Sequence, residues 1–103
     1  MELILKTTDK GYSITTDGRM HYLNFGQIKK GVQQKAVVRF TDVTAKTFDL
    51  APTCNCTTTN KVMISPTEVE YTIVFSGNSS LPKTLVITNN NKQTQLKING
   101  ILN

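Results

Sequence analysis

The sequence predicts a single all-β domain of about seven or eight strands, arranged as a sandwich or a barrel. Strand signals recur about every 8 to 12 residues, and residues that favour turns separate them. Within most of these signals apolar and polar residues alternate, which is typical of strands with one buried face. No stretch shows a sustained helical spacing of apolar residues. A chain of 103 residues is long enough to form one two-layer core.

Residues 1–19 form the first predicted element, a short arm or hairpin that precedes the main domain. The apolar segments 3–5 and 12–14 flank Asp9-Lys10-Gly11, a sequence typical of a turn. Such a hairpin could extend the edge of the sandwich, or it could pair as an arm with a neighbouring molecule. We therefore divide the chain into an arm, residues 1–19, and a sandwich domain, residues 20–103.

The strands that follow are predicted from period-two alternation. In the clearest of them, residues 68–75, apolar side chains fall on one face and Glu68, Glu70 and Thr72 on the other. We expect one core between the two sheets, built from Ala36, Val38, Phe40, Val69, Tyr71, Ile73, Phe75 and Ile98. The run Leu85-Val86-Ile87 is apolar throughout, which predicts a strand covered on both faces.

Turn-forming residues separate these strands. Asp17-Gly18, residues 76–80 and the run Asn89-Asn90-Asn91 are expected to form turns, because Gly, Asn and Asp tolerate the backbone geometry of tight turns. Pro82 should open a strand rather than lie inside one, since proline cannot donate to a sheet ladder. The chain contains neither an internal repeat nor a linker between domains.

The charge of +5 comes mainly from lysine, which supplies ten of the twelve cations. These lysines are scattered along the chain, and arginine, the better ligand for phosphate, occurs only as Arg19 and Arg39. The charge therefore predicts a solubilising surface, and we do not expect nucleic acid as a partner.

The first residues, Met1 to Lys6, lack the features of a secretory signal, and no window approaches the ~18 apolar residues of a membrane span. We therefore expect the protein to stay in the reducing compartment where it is made and to have no membrane span. Stable disulfides are uncommon under such conditions.

Both cysteines of the chain lie in one short segment, Thr53-Cys-Asn-Cys-Thr57. Three interpretations remain open for Cys54 and Cys56. They are small side chains that pack beneath a turn, a redox-labile pair whose disulfide would close a small strained ring, or half of a metal site. The third interpretation requires two further ligands, and His21 is the only histidine of the chain.

The remaining residues predict no catalytic centre. His21 would have to serve as the base in every nucleophilic scheme, and Glu68 and Glu70 are expected in solvent, where carboxyl pKa values stay low. The surroundings of Gly26, Gly31 and Gly77 do not lead into a helix, so they do not form a phosphate-binding loop. We expect no enzyme activity, no cofactor, no metal and no small-molecule substrate.

The order of motifs from Leu23 onward is distinctive. Residues 23–31 read as a strand with two glycine turns, and the Cys-Asn-Cys segment lies at the centre of the chain. Ile64-Ser-Pro66 precedes the long strand, and Gly100 lies near the end of the last one.

This order resembles that of Hydin-type (ASH) immunoglobulin-like domains of the bacterial Cys-x-Cys type. Asn55, Thr67 and Asp42-Val43 depart from the residues common in that family, which affects turns more than architecture. The resemblance implies an immunoglobulin-like sandwich of antiparallel strands that binds other proteins and carries no catalytic residues.

A free-standing domain of this kind also resembles auxiliary, or decoration, proteins of bacteriophage capsids. The leading hypothesis is a structural virion protein that docks on capsid subunits or other virion proteins, through residues 1–19, 76–80 and 89–91. The alternative is a cellular bacterial adaptor that binds other proteins, in the cytoplasm or in association with an envelope complex. A metal-binding or redox protein built on Cys54 and Cys56 is a third hypothesis.

If the two cysteines are packing residues, replacing both by alanine (Cys54→Ala with Cys56→Ala) should reduce stability by about 1 to 2 kcal/mol, because only side-chain contacts are lost. Urea unfolding measures the loss, with the wild-type protein in chelator and in reductant as controls. Unfolding of the wild-type protein by either reagent would show that the pair holds a metal or a disulfide.

Overall fold

The computed structural model describes residues 2–6, 13–17, 20–53, 57–75 and 83–102. These residues contain strands and turns but no helix. The nine strands are β1 (Glu2–Leu5), β2 (Ser13–Asp17), β3 (Met20–Ile28), β4 (Gln34–Thr41), β5 (Asp49–Pro52), β6 (Thr57–Ser65), β7 (Glu68–Phe75), β8 (Lys83–Asn89) and β9 (Lys92–Leu102).

The strands form two sheets that pack face to face as a sandwich. Sheet A has the order β1-β4-β7-β6, and sheet B has the order β2-β3-β9-β8-β5. With β1 and β4 to β9 taken as strands A to G, sheet A has the ABED order of an immunoglobulin constant-type domain, and β5-β8-β9 has its CFG order. The predicted all-β immunoglobulin-like sandwich is therefore confirmed.

The N-terminal strands do not pair with each other, so the predicted hairpin between residues 3–5 and 12–14 is wrong. β1 pairs antiparallel with β4 at one edge of sheet A, whereas β2 pairs antiparallel with β3 at one edge of sheet B. The hairpin that does form joins β2 to β3, because Asp17 lies opposite Met20 and only two residues connect them. Both strands extend the sandwich edge, which was one of the two expected arrangements.

The described residues form nine strands, slightly more than the seven or eight predicted, and seven of them, β3 to β9, lie within residues 20–103. The arm, residues 1–19, contributes β1 and β2. Whether the arm can be removed without unfolding the rest of the sandwich stays a prediction.

One strand pair is parallel, so the expectation of antiparallel strands throughout is wrong at that pair. β3 runs parallel to β9, its neighbour in sheet B. Three steps along β3 from Asn24 to Gln27 match two steps along β9, which leaves one extra residue in β3. Gly26 lies in this bulge with φ +69°, a backbone angle that glycine adopts without strain.

The core between the sheets contains all the apolar positions expected from alternation. Val69, Tyr71, Ile73 and Phe75 of β7 are buried, at no more than 1% exposure. Phe40, Phe48 and Tyr71 form an aromatic cluster, with ring centroids 4.8 Å apart for Phe40–Phe48 and 5.9 Å for each ring against Tyr71. Edge-to-face and tilted contacts of this kind stabilise a core beyond the area that they bury.

β8 is covered less completely than its apolar run predicted. Leu85 and Ile87 are buried, whereas Val86 is only half-buried on the opposite face. The sandwich has two layers, so the outer face of sheet B has no third layer of described residues above it.

The β8–β9 connection confirms a predicted turn. Asn89 lies opposite Lys92, and the two residues between them have positive φ, 52° at Asn90 and 67° at Asn91. Two positive φ values in a two-residue loop define a type I′ turn, whose twist matches that of a hairpin. The predicted turn at residues 76–80 and the strand opening at Pro82 fall outside the described residues.

Phe75→Ala should reduce the free energy of unfolding by about 3 to 5 kcal/mol, because the loss of a fully buried ring leaves a cavity. The Phe75 ring is 0% exposed, and its centroid lies 6.4 Å from that of Phe25. Urea unfolding measures the loss. Val74→Ala, on the half-buried outer face of the same strand, is the matched control and should cost much less. Equal losses for the two variants would contradict the packing described here.

Candidate interaction site

The predicted cysteine site lies outside the described residues, so its three interpretations stay predictions. Both flanks of the segment are held in place. The Thr53 backbone amide and hydroxyl both donate to the Thr84 carbonyl oxygen, at 3.2 and 2.8 Å. On the other side Thr57 is buried and lies opposite Phe75 at the start of β6.

His21 is buried on β3, the strand next to the β2 edge of sheet B. Its exposed fraction is 8%, and its Nδ1 lies 3.0 Å from Thr16 Oγ1 on the neighbouring strand β2. Burial lowers the pKa of His21 below its ordinary value of 6.5. A neutral ring bonded to a threonine hydroxyl holds two strands together, which is a structural role.

The two carboxylates that share a face of β7 are engaged with Arg39 of β4. One Arg39 guanidinium nitrogen lies 3.1 Å from Glu70 Oε2 and another lies 3.9 Å from Glu68 Oε2. All three side chains are only partly exposed, so the glutamates are less free in solvent than the sequence suggested. Such a partly solvated ion pair contributes at most about 1 kcal/mol and does not favour acid–base chemistry.

Tyr71 is a core residue whose pKa is raised well above its ordinary value. Burial, and then the negative charge of Asp49, raise the pKa of Tyr71 to about 12. The phenol therefore stays protonated at neutral pH. It belongs to the aromatic core and has no access to a substrate.

The described residues contain no group of three or more His, Cys, Asp or Glu side chains that could hold a metal ion. No helix long and apolar enough to cross a membrane occurs among them. What they do present to solvent is a set of large apolar side chains.

These exposed apolar side chains lie at the margins of the sandwich. Six of them are more than 40% exposed: Ile4, Val32, Val62, Met63, Ile64 and Ile101. Four of the six belong to β1 and β6, the two edge strands of sheet A. Val32 lies in the β3–β4 connection and Ile101 near the end of β9.

The edge of β6 is closed along its first half and open along its second. Lys61 Nζ donates to the Phe48 carbonyl oxygen at 2.7 Å, and Thr59 Oγ1 donates to the Leu50 carbonyl oxygen at 3.2 Å. These bonds tie the first half to β5 and the segment before it. Beyond Lys61, three consecutive apolar side chains are 44 to 55% exposed. An apolar segment at a sheet edge is a typical site of strand addition.

The edge at β1 aligns with this open segment across the sheet. Ile4 lies opposite Arg39, Arg39 opposite Glu70, and Glu70 opposite Val62. Ile4 and Val62 therefore end the same cross-strand row, on the same outer face, with the Arg39–Glu70 ion pair between them. We call Ile4, Val62, Met63 and Ile64 the edge site.

The two edges of sheet B are better protected. β2 exposes the polar residues Ser13, Thr15, Thr16 and Asp17. β5 contains Pro52, and side chains of β6 donate hydrogen bonds to the carbonyl oxygens of Leu50 in β5 and of Phe48 just before it. Polar side chains, proline and cover by a neighbouring segment are common ways to block an edge strand.

Sequence reasoning missed the edge site, although a signal was present. The run Val62-Met63-Ile64 places apolar residues on both faces of one strand, yet the strand is Thr-rich and shows no alternation. A strand that is apolar on both faces is either covered twice or exposed at an edge. Local sequence does not decide between the two, since the choice depends on the order of strands in the sheet.

The contact regions expected from the sequence are not brought together. β1 and β2 of the arm lie in different sheets, and Asn90 and Asn91 form the exposed tip of the β8–β9 hairpin. Residues 76–80 fall outside the described residues.

Comparison of the sequence with protein families and with curated proteins finds no match to either. Among solved structures, the chain is similar to the crystal structure of the S-layer protein SbsC domains 4 and 5, with 16% sequence identity and a TM-score of 0.44. The match covers 97% of this chain and 54% of that one, so the chain spans about half of the compared structure. Function has to be argued from this chain's own residues.

The buried His21 predicts a pH dependence of stability. Below pH 6.5 the unfolded chain binds a proton that the folded protein, with its lowered pKa, still excludes. The contribution of His21 to stability is therefore fully present above the pKa of histidine in the unfolded chain. It decreases as the pH falls from 6.5 toward the lower pKa of His21 in the folded protein. Urea unfolding at a series of pH values should show this decrease in the wild-type protein.

His21→Gln is the matched control, because its amide keeps a hydrogen-bonding group near Thr16 and does not titrate. The difference between the two proteins removes the contribution of the carboxylates, which titrate at lower pH. A constant difference in unfolding free energy between pH 7.5 and pH 5, values that bracket the ordinary histidine pKa of ~6.5, would contradict the assigned direction.

Proposed function

We propose that this protein is a non-enzymatic structural protein that works by binding other proteins. The observation that carries the proposal is the location of its exposed apolar side chains. They lie along the two edges of sheet A and at one end of the sandwich, where another protein can reach them. Apolar patches that are kept in solvent commonly mark interaction sites.

The chemistry of the described residues supports the same conclusion. His21 and Tyr71 are buried and held within the core or between strands, and Glu68 and Glu70 face Arg39. The hydroxyl beside His21 belongs to Thr16 and joins β2 to β3, whereas catalysis by acid, base or nucleophile needs such groups within reach of a substrate.

As the more specific function, we propose that the protein docks on repeated sites of a bacteriophage capsid and stabilises the shell. The motif order from Leu23 to Gly100 and its resemblance to Hydin-type domains support a protein-binding module. A repeated lattice also suits a small binding surface, because many weak contacts act together at high effective concentration. The site of action would then be the virion, with assembly in the host cytoplasm.

Removal of residues 1–11 should weaken docking on the particle and leave the rest of the sandwich folded. The truncation removes β1 and with it Ile4, but it leaves β3 to β9 with their shared core. Co-sedimentation with capsids of the phage that encodes the protein measures occupancy, and circular dichroism checks the fold. Ile4→Asp in the full-length chain is the matched variant, because it changes the edge without removing a strand.

The outcomes separate the hypotheses. Equal occupancy of full-length and truncated protein would show that the arm does not take part in docking. If the full-length protein does not sediment with any particle, the capsid proposal is wrong. Recovery with an envelope or cytoplasmic complex instead would favour the cellular adaptor.

A further inference from the structure

The two edges of sheet A have opposite strand directions. β1 is antiparallel to β4, β4 to β7, and β7 to β6, so β1 and β6 run in opposite senses. A second copy in the same orientation would therefore present its β1 antiparallel to β6 of the first. We propose that copies of this protein associate in this way, edge to edge, and extend sheet A from one molecule to the next.

The cross-strand rows of the sheet give the register of this contact. Because Ile4 and Val62 end the same row, continuing the sheet without a shift places Ile4 of the next copy opposite Val62. Leu3 of the next copy then lies opposite Met63. Ile4, Val62 and Met63 are 41%, 48% and 55% exposed in the single chain, so the contact would bury apolar area at both edges.

Charge is compatible with this register, although the chain carries a net +5. Antiparallel pairing about Ile4 and Val62 places Glu2 opposite Ile64, Leu5 opposite Lys61 and Lys6 opposite Asn60. No charged residue faces one of like sign across the junction. Like charges placed directly opposite each other would destabilise a strand pair.

Pairing of β6 with β6 of a second copy fits less well. The register shift between Met63 and Ser65 leaves an extra residue in β6, and a symmetric pair centred there would bring two such bulges together. Bulges disrupt the hydrogen-bond ladder where they occur. β1 has no such shift, since its four residues pair with β4 in continuous register.

The contact is not a symmetric pair. A heterologous interface between one edge and the opposite edge leaves a free β1 at one end of a dimer and a free β6 at the other, so each added copy offers an edge to the next. Pairing of four residues also buries less area than the ~1,200 Å² typical of stable complexes. Association should therefore be weak in dilute solution and should grow with concentration.

Sedimentation velocity of the purified full-length protein tests the inference from about 10 µM to about 1 mM, the range of weak dissociation constants. The average mass of the wild-type protein should rise with concentration to more than twice that of the monomer. Ile4→Lys blocks the β1 edge, and Val62→Lys blocks the β6 edge. Each variant alone should stay monomeric over the same range.

An equal mixture of these two variants gives the sharpest readout. Val62→Lys keeps a working β1, and Ile4→Lys keeps a working β6, so the mixture should form dimers and stop there. Ile101→Lys is the matched control, because it adds the same charge at a site that is 63% exposed and away from both edges. This control should assemble as the wild-type protein does.

Several outcomes would overturn the inference. They are a wild-type protein that is monomeric throughout, an assembly that stops at a dimer, or association that persists in either single variant. Hydrogen exchange of the wild-type protein provides a check that needs no substitution. The backbone amides of residues 62–64 should exchange more slowly at high protein concentration than at low concentration, and unchanged rates would also refute the contact. Neither measurement uses a particle, so failure here is distinct from failure of the docking proposal.

Discussion

The position of Phe48 determines much of the architecture at the β6 edge. Its ring packs against Phe40 and Tyr71 of sheet A, although Phe48 precedes β5 of sheet B. This aromatic contact fixes the segment that crosses between the sheets, and with it the carbonyl oxygen that accepts the bond from Lys61. Core packing thus decides which half of β6 is closed by β5 and which half remains available to another molecule.

The elements that the sequence predicted are those in which local alternation carries the information. The buried faces of β4, β7 and β9 follow from period two, because a strand that covers a core must be apolar at every second residue. The Asn-rich β8–β9 turn was predictable for an equally local reason, since asparagine tolerates positive φ. Residues 57–65 show no alternation, and they were not identified as one continuous strand.

The features that the sequence did not predict depend on strand partners that are distant in the chain. Leu3, Leu5 and Ile14 are apolar, but nothing in the neighbouring sequence shows that their strands, β1 and β2, join different sheets. The parallel pairing of β3 with β9 joins residues about 75 positions apart, as the pair Met20 and Gln95 illustrates. The edge site has the same origin, because exposure at an edge follows from the sheet order and not from the residues themselves. Cys54 and Cys56 lie outside the described residues, so their role rests on the sequence alone.

The pairing of β3 with β9 also has a consequence for the order in which the chain folds during synthesis. Sheet A consists of β1, β4, β6 and β7, so all its strands have been made once Phe75 has left the ribosome. β3 can pair with β9 only after β9 has been synthesised. Until then β9 does not cover the side of β3 that carries Leu23, Phe25 and Ile28. Contacts of such long sequence separation form late and leave apolar surface exposed in the nascent chain. The synthesis of β9, rather than the formation of any single turn, therefore limits when the sandwich can close.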